Sequence, residues 1–485
     1  MKKFILPLMT PFLLMACSPK TSVEWVTTTD GTPWEIQDPK TVGIASQESF
    51  DSEVDLDSPL QTIEGFGTCF NELGWTSLSL LSAEDRESVL RELFEPGVGA
   101  NFTVCRMSVG ANDFARDWYS YNETPGDFEM KHFSIENDRE TLIPFIHNAQ
   151  HYNPDIRIWA SPWCPPVWMK NNGHYACSIP SSFFAKEFHT DIKPEQTGAE
   201  GTDMFNQNPK YMEAYALYFQ KFIEAYRKEG IDIFMVMPQN EFNSCQPYPS
   251  CTWTVEGLHK FLRDHLGPRM TSIGVEVMFG TMERPDPKMV ETILDDPATR
   301  IYISGAGFQW AGKYSIGAIH EKYPKLTLYQ TEQECGNGAN DWGFANYAWE
   351  LMKHYFQNGV NVYEYWNTSL KKGGMSRWGW TQNSLVTVDP ETRTFAYTND
   401  YYLLKHFSHY VMPGAVMLPV SGEFDDLLAF RNPDGDIITV IRNDTDADTV
   451  KTIKVGGITL SPELKAKSFS TIRIPAKVVK SKNRK

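Results

Sequence analysis

Two stretches, FMVMPQNE (residues 234–241) and LTLYQTEQE (326–334), are built alike: a short apolar strand runs out into polar side chains. The first ends on Asn240 and Glu241, the second near Glu332 and Glu334. Working outward, β-branched or aromatic runs of this kind recur at 62–66, 102–108, 156–161, 233–239, 274–280, 304–309, 326–331 and 360–366, eight in all. Long segments of helical character follow them. YMEAYALYFQKFIEAYRK (211–228) and ANYAWELMKHYFQ (345–357) space their apolar residues three and four apart, as amphipathic helices do. Strand and helix alternating in this number predict an α/β fold, a (β/α)8 TIM barrel. A doubly wound open sheet is the alternative, and the lack of a Gly-rich first turn counts against it.

The flanks read differently. After Gly414, residues 427–432 and 436–443 alternate or run β-branched around a Pro433, Asp434, Gly435 turn, which predicts an all-β module. Residues 23–57 also carry strand-like pieces (VEWVTTT, SEVDLD) and no helical period. They are expected to join the C-terminal strands in one accessory β-sandwich. The expected order is therefore a leader over 1–17, N-terminal sandwich strands over 23–57, the barrel over 58–410, sandwich strands over 411–476 and a frayed basic tail over 477–485.

The chain has 485 residues with 61 acidic and 45 basic side chains, a formal charge of −16. That field repels phosphate backbones, which disfavours nucleic acid and suits neutral partners. Lys2 and Lys3 precede an apolar stretch over 4–15, too short to span a bilayer and right for a signal-peptide core. It closes on Leu14, Met15, Ala16 and Cys17, which resembles a bacterial lipobox. The expectation is an exported lipoprotein, lipidated at Cys17, held to a membrane by that anchor alone and facing the periplasm or the cell surface.

Seven further cysteines, an odd number, leave at least one unpaired, and Cys245 and Cys251 are close enough in sequence to bridge. No CxxC pair or HExxH helix appears, and His406 with His409 reads as a packed helix face, so no metal or other cofactor is expected. Neither GxxxxGK[ST] nor GxSxG occurs.

In a TIM barrel the site forms where strands end at the C-terminal face. Glu241 and Glu332 lie at the ends of the fourth and seventh strands, which places two carboxyl groups on opposite sides of one mouth. Glycoside hydrolysis needs such a pair, one to protonate the departing oxygen and one to attack the sugar carbon or activate water. A single glutamate at a loop start is more often a cap or a solvated residue. Here Trp163, Trp310 and Trp366 follow the third, sixth and eighth strands, and aromatic faces suit the C–H side of a pyranose. Glu334, two residues on from Glu332, competes for the nucleophile's place.

The segments GFGTCFNE (65–72), ASPWCPPVWMK (160–170), PQNE (238–241), YQTEQECG (329–336) and HFSHYVMPGA (406–415) resemble glycoside hydrolase family 30. The resemblance implies a barrel with a side β-sandwich, acting with retention. By position it implies Glu241 as general acid/base and Glu332 as nucleophile, preferred over Glu334. Asn240 would contact the sugar 2-hydroxyl, and Glu72 and Trp163 would hold the non-leaving sugar.

Where glucosylceramidases of that family carry His-Trp-Tyr, this chain has Gln309, Trp310 and Ala311. GFQWAG, YQTEQECG and YEYWN look instead like the branch that cleaves β-1,6-glucan. The expectation is double displacement on a neutral β-glucan by carboxyls about 5 Å apart; about 8 Å would mean inversion. A raised pKa is expected for Glu241 and a charged state for Glu332. The alternatives are an exo-acting β-glucosidase or glucosylceramidase, and a surface glycan-binding lipoprotein without turnover.

Overall fold

Each of the eight apolar runs becomes a barrel strand in the computed structural model, which describes residues 23–45, 49–181 and 190–480. The strands are β1 (Gly65–Phe70), β2 (Val104–Ser108), β3 (Arg157–Ser161), β4 (Ile233–Val236), β5 (Glu276–Met282), β6 (Ile303–Gln309), β7 (Thr327–Glu332) and β8 (Val362–Asn367). Each pairs in parallel with its chain neighbours, and β8 closes the ring on β1. The fold is thus the closed (β/α)8 barrel that the alternation predicts, not the open sheet.

Two strands lie two or more residues later at both ends than the sequence suggests, and glycine explains both. β1 continues through Gly67 because the Val104 backbone of β2 comes so close that a Cβ there would sit 1.4 Å from its carbonyl oxygen. Gly274 takes a left-handed φ of 70°, turning the chain, so β5 starts at Glu276 rather than 274.

Val104, Trp159, Met235, Met237, Met278, Tyr329 and Val362 form a core cluster of their own, contributed by six of the eight strands and the residue just past β4. The outer helices cover the other face. The helix Pro209–Lys228 starts behind Asn208, whose side chain accepts from the Lys210 N–H, with Pro209 in the first turn where its missing N–H costs nothing. It buries Met212, Tyr215, Phe219, Phe222 and Tyr226 on one face. Each such side chain contributes about 1.5–3 kcal/mol of transfer free energy.

The N-terminal strands Glu24–Thr29 and Thr32–Ile36 extend a six-stranded antiparallel sheet made otherwise by residues 416–474. Ser52–Val54 and Ile44–Ala45 enter a facing five-stranded sheet. Barrel and sandwich meet along the helix Asn399–Ser408. His406 there is buried between the hydroxyls of Thr471 and Thr28, each at 2.9 Å, and Phe407 packs with Phe356 and Phe430. Burial pushes the His406 imidazole down to about 3, so it is a neutral structural joint.

The expected frayed tail is in part a helical turn, Ala476–Lys480, because Val479 finds a buried place against the sandwich. Cys245 and Cys251 do not bridge: Cys251 is fully buried, and Cys245 hydrogen-bonds the Cys177 thiol instead. Among the described residues no helix is long and apolar enough to cross a membrane. The leader and Cys17 lie outside the described residues.

Candidate active site

β4 is apolar to Val236, and Pro238, lacking an amide hydrogen, cannot continue its ladder. The chain then turns over the barrel mouth. Gln239 donates from Nε2 to the Trp163 carbonyl at 2.7 Å, and Glu241 takes a left-handed φ of 44° with its N–H donating to Thr281 Oγ1 at 3.0 Å. Trp310, after β6, has a φ of 47°. Side chains with a Cβ rarely adopt this conformation, and two of them at one mouth mark backbone held to a demanding geometry.

Glu332 is the last residue of β7. A register irregularity in β6 sets Gln309 opposite it in the ladder. The Gln309 Nε2 amide lies 3.0 Å from Glu241 Oε1, 3.4 Å from Glu332 Oε2 and 3.3 Å from Asn240 Oδ1. Both carboxylates therefore touch one nitrogen. Glu241 Oε1 and Glu332 Oε2 can be no farther apart than the sum of those two distances, which falls below the roughly 6.5 Å where the inverting range begins.

Arg106, in the middle of β2 and fully buried, organises the floor. Its guanidinium donates to Ser161 Oγ, to Asn240 Oδ1 at 2.7 Å, to the Thr331 carbonyl and to Glu332 Oε2 at 3.2 Å. It lies 4.4 Å from the Trp163 ring centroid and 5.4 Å from that of Trp366.

Glu241 and Glu332 are each only 6% exposed, and burial pushes both carboxyls up. Asp113, buried beside them, is pushed up to about 7 by burial and by the charge of Glu241. The rise is opposed at Glu241 by the charges of Arg284 and Arg106, and at Glu332 and Asp113 by that of Arg106. The carboxylate in contact with Arg106 is Glu332, while Glu241 meets the neutral amides of Gln309 and Gln246. Burial drives Glu332 up further than Glu241 even though Glu332 is the carboxylate paired with Arg106, and the two titrate as a coupled pair.

A model of the glycosyl hydrolase family 30 TIM-barrel domain matches residues 63–180 and 188–411, and the family's β-sandwich domain matches 420–472. The chain belongs to glycosyl hydrolase family 30. Putative glucosylceramidase 1 of Caenorhabditis elegans is 27% identical over 80% of this chain and 75% of the relative. The endo-1,6-beta-D-glucanase neg1 of Aspergillus fumigatus is 25% identical over 86% of each. The solved structure of the endo-beta1,6-glucanase BT3312 superposes with a TM-score of 0.77 at 25% identity, covering 93% of this chain and 99% of that one.

In this family 30 hydrolase, Asn240 has its Oδ1 engaged by Arg106 and Thr281, so its offer to a ligand is the Nδ2 donor. Gln309 stands between the carboxylates, and Trp310 lines a cavity on the Glu241 side with Tyr248 and Trp380. Other expected site residues fall elsewhere. Trp366 is 0% exposed and stacks on Trp163 at 5.0 Å, so it supports that ring and presents no open face to a sugar. Glu72 opens the helix Glu72–Leu78 and is buried. Its carboxylate is consumed by the Arg116 guanidinium and N–H, by Asn137 and by Thr141, which makes it a loop anchor instead of a sugar ligand. Glu334 is held by Lys313 at 2.5 Å and Tyr347 at 2.6 Å, outside the pair.

The sequence reading missed Arg106, Asp113 and Tyr248. The available signal was a lone arginine inside the apolar run VCRMS, a place where a charge survives only with a buried partner.

Proposed function

We propose that this family 30 hydrolase is an endo-acting, retaining β-1,6-glucanase with Glu332 as nucleophile and Glu241 as general acid/base. The observation that carries this reading is the Gln309 amide within hydrogen-bonding distance of both carboxylates while Arg106 pairs with Glu332 alone. In the first step a Glu332 oxygen forms a bond to the anomeric carbon as the glycosidic C–O bond breaks. The Glu241 proton passes to the departing oxygen. In the second step Glu241, now ionised, takes a proton from water as that water displaces Glu332 from the same carbon, regenerating both groups. The Asn240 Nδ2 would meet the 2-hydroxyl beside the nucleophile.

The β-1,6 linkage is supported by the names of the A. fumigatus relative and of BT3312, and by Gln309, Trp310 and Ala311 at the rim. The C. elegans relative's name supports a second reading, an exo-acting glucosidase of glucosylceramidase type. Following β-1,6-glucan by reducing ends, product size and NMR of the first-formed anomer separates them. A ladder of β-anomeric oligosaccharides is the expected result; glucose alone means exo action, and α-anomers first would defeat retention.

We also propose export and lipidation at Cys17, on the strength of the leader's lipobox resemblance. Cys17→Ser should move the protein from the membrane fraction to the soluble one.

A further inference from the structure

A second buried carboxyl stands on the far side of Glu241 from the nucleophile. Glu283 is the first residue past β5, only 1% exposed, and lines a cavity of about 320 Å³ together with Glu241, Gln246, Tyr248, Trp310 and Trp380. Its Oε1 accepts from the Asn243 N–H at 3.0 Å and from the Ser244 hydroxyl at 3.4 Å. Its Oε2 is buried and has no protein partner. The neighbouring Arg284 makes no hydrogen bond to that carboxyl, though its charge favours the ionised form: its guanidinium turns to Glu200 and to the backbone carbonyls of Glu283 and Asn243. An orphaned buried carboxyl oxygen of this kind calls for an explanation, because each one costs stability.

We propose that this cavity is the subsite of the departing sugar and that Glu283 selects it, donating a hydrogen bond from its carboxyl to a hydroxyl of that sugar. The inference rests on Glu241 as proton donor. Whatever Glu241 protonates leaves on its side, and the cavity holds Glu241 without Glu332. Burial, the largest cause, pushes Glu283 up to about 8 against the opposing charge of Arg284, so at neutral pH it is a donor-bearing acid. A hydroxyl can accept from it, whereas a hydrocarbon aglycone would leave Oε2 unpaired. Trp310 and Trp380 add the flat walls that suit a pyranose ring.

The test measures kcat/KM for wild type, Glu283→Gln and Glu283→Ala on a β-1,6-linked glucotriose and on octyl β-glucoside, whose leaving alcohol also needs protonation but carries no hydroxyls. Glu283→Ala should lose ~10–100-fold on the trisaccharide and under about threefold on the octyl glucoside. Glu283→Gln should stay within about threefold on both, its Oε1 accepting as before and its Nε2 donating into the cavity. Equal losses on the two substrates, no loss in Glu283→Ala, or a Glu283→Gln loss matching that of Glu283→Ala would overturn the proposal. If Glu283→Ala does not fold, Glu283→Asp, which withdraws the carboxyl from the cavity, should show the same selective loss. A wild type that leaves β-1,6-glucan intact sinks the linkage, not the role of Glu283, which is then scored on the β-1,3- or β-1,4-linked trisaccharide that is cleaved.

Discussion

Two groups of carboxylates lie buried in this barrel under opposite regimes. Behind the β1 and β2 loops, Glu72 accepts four hydrogen bonds, and Asp138 accepts from Tyr119, Tyr121 and Tyr226 at 3.0, 2.5 and 2.5 Å. At the mouth, Glu332, Glu241 and Asp113 crowd one guanidinium and one shared amide, and Asp113 Oδ1 has no protein partner. Burial alone does not separate scaffold from chemistry. Satisfaction does: saturated acceptors hold loops in place, while under-satisfied carboxyls are the ones whose charge a substrate can change.

The sharpest way to break this contrast is to remove one charge from each group. Glu332→Gln should abolish turnover, by at least about 10⁴-fold on every glycoside, while Tm holds or rises because a strained anion is gone. Glu72→Gln should do the reverse. One of its oxygens becomes a donor facing donors, at a cost of about 1–3 kcal/mol read by thermal unfolding, with kcat/KM on glucan within a few-fold of wild type. A Glu72 variant that folds normally but fails on glucan would return that residue to the sugar site.

Glu241→Ala comes next, at about 10²–10⁴-fold on glucan, with far smaller losses on an aryl glycoside whose leaving group needs no proton. Equal losses on both would argue against its acid role. Arg106→Lys should then cost about 10²-fold in kcat, because a point charge cannot reach Ser161, Asn240 and Glu332 together as the fork does. Unchanged kcat with a raised KM would mean that Arg106 only packs.

Much of the scaffold was legible because barrel strands write themselves as apolar runs, and their ends name the rim. That rule, together with a family resemblance, pointed to Glu241 and Glu332, which the fold brings to one amide at the mouth. Glu72 reads as a rim residue because it follows β1, yet Asn71 caps a helix there by accepting from the Gly74 N–H, and the Glu72 carboxylate is taken up by Arg116, Asn137 and Thr141. One residue of helix start separates a sugar ligand from a loop anchor, and nothing in NE as a dipeptide distinguishes them. Arg106 and Asp113 went unread for another reason: their partners, Glu332 and Glu241, come from strands more than a hundred residues away. Trp366 looked like a platform because a rim tryptophan and a ring stacked beneath one have the same sequence context.

The last prediction concerns the saturated group's own pH dependence. Burial pushes Asp138 up to about 6 from its ordinary 3.8, the three tyrosine hydroxyls opposing this without cancelling it. The folded state therefore holds this proton at pH values where the unfolded chain has released it. The stability tied to it is complete below about pH 4 and is lost progressively as pH rises to about 6, by about 3 kcal/mol in all. Asp138→Asn cannot ionise, so its unfolding free energy should lack that decline between pH 4 and pH 6, whatever its absolute value. Denaturant unfolding at both pH values checks it. If wild type and variant lose stability in parallel, Asp138 is ionised in the folded protein, and the tyrosines satisfy a charge instead of a neutral acid.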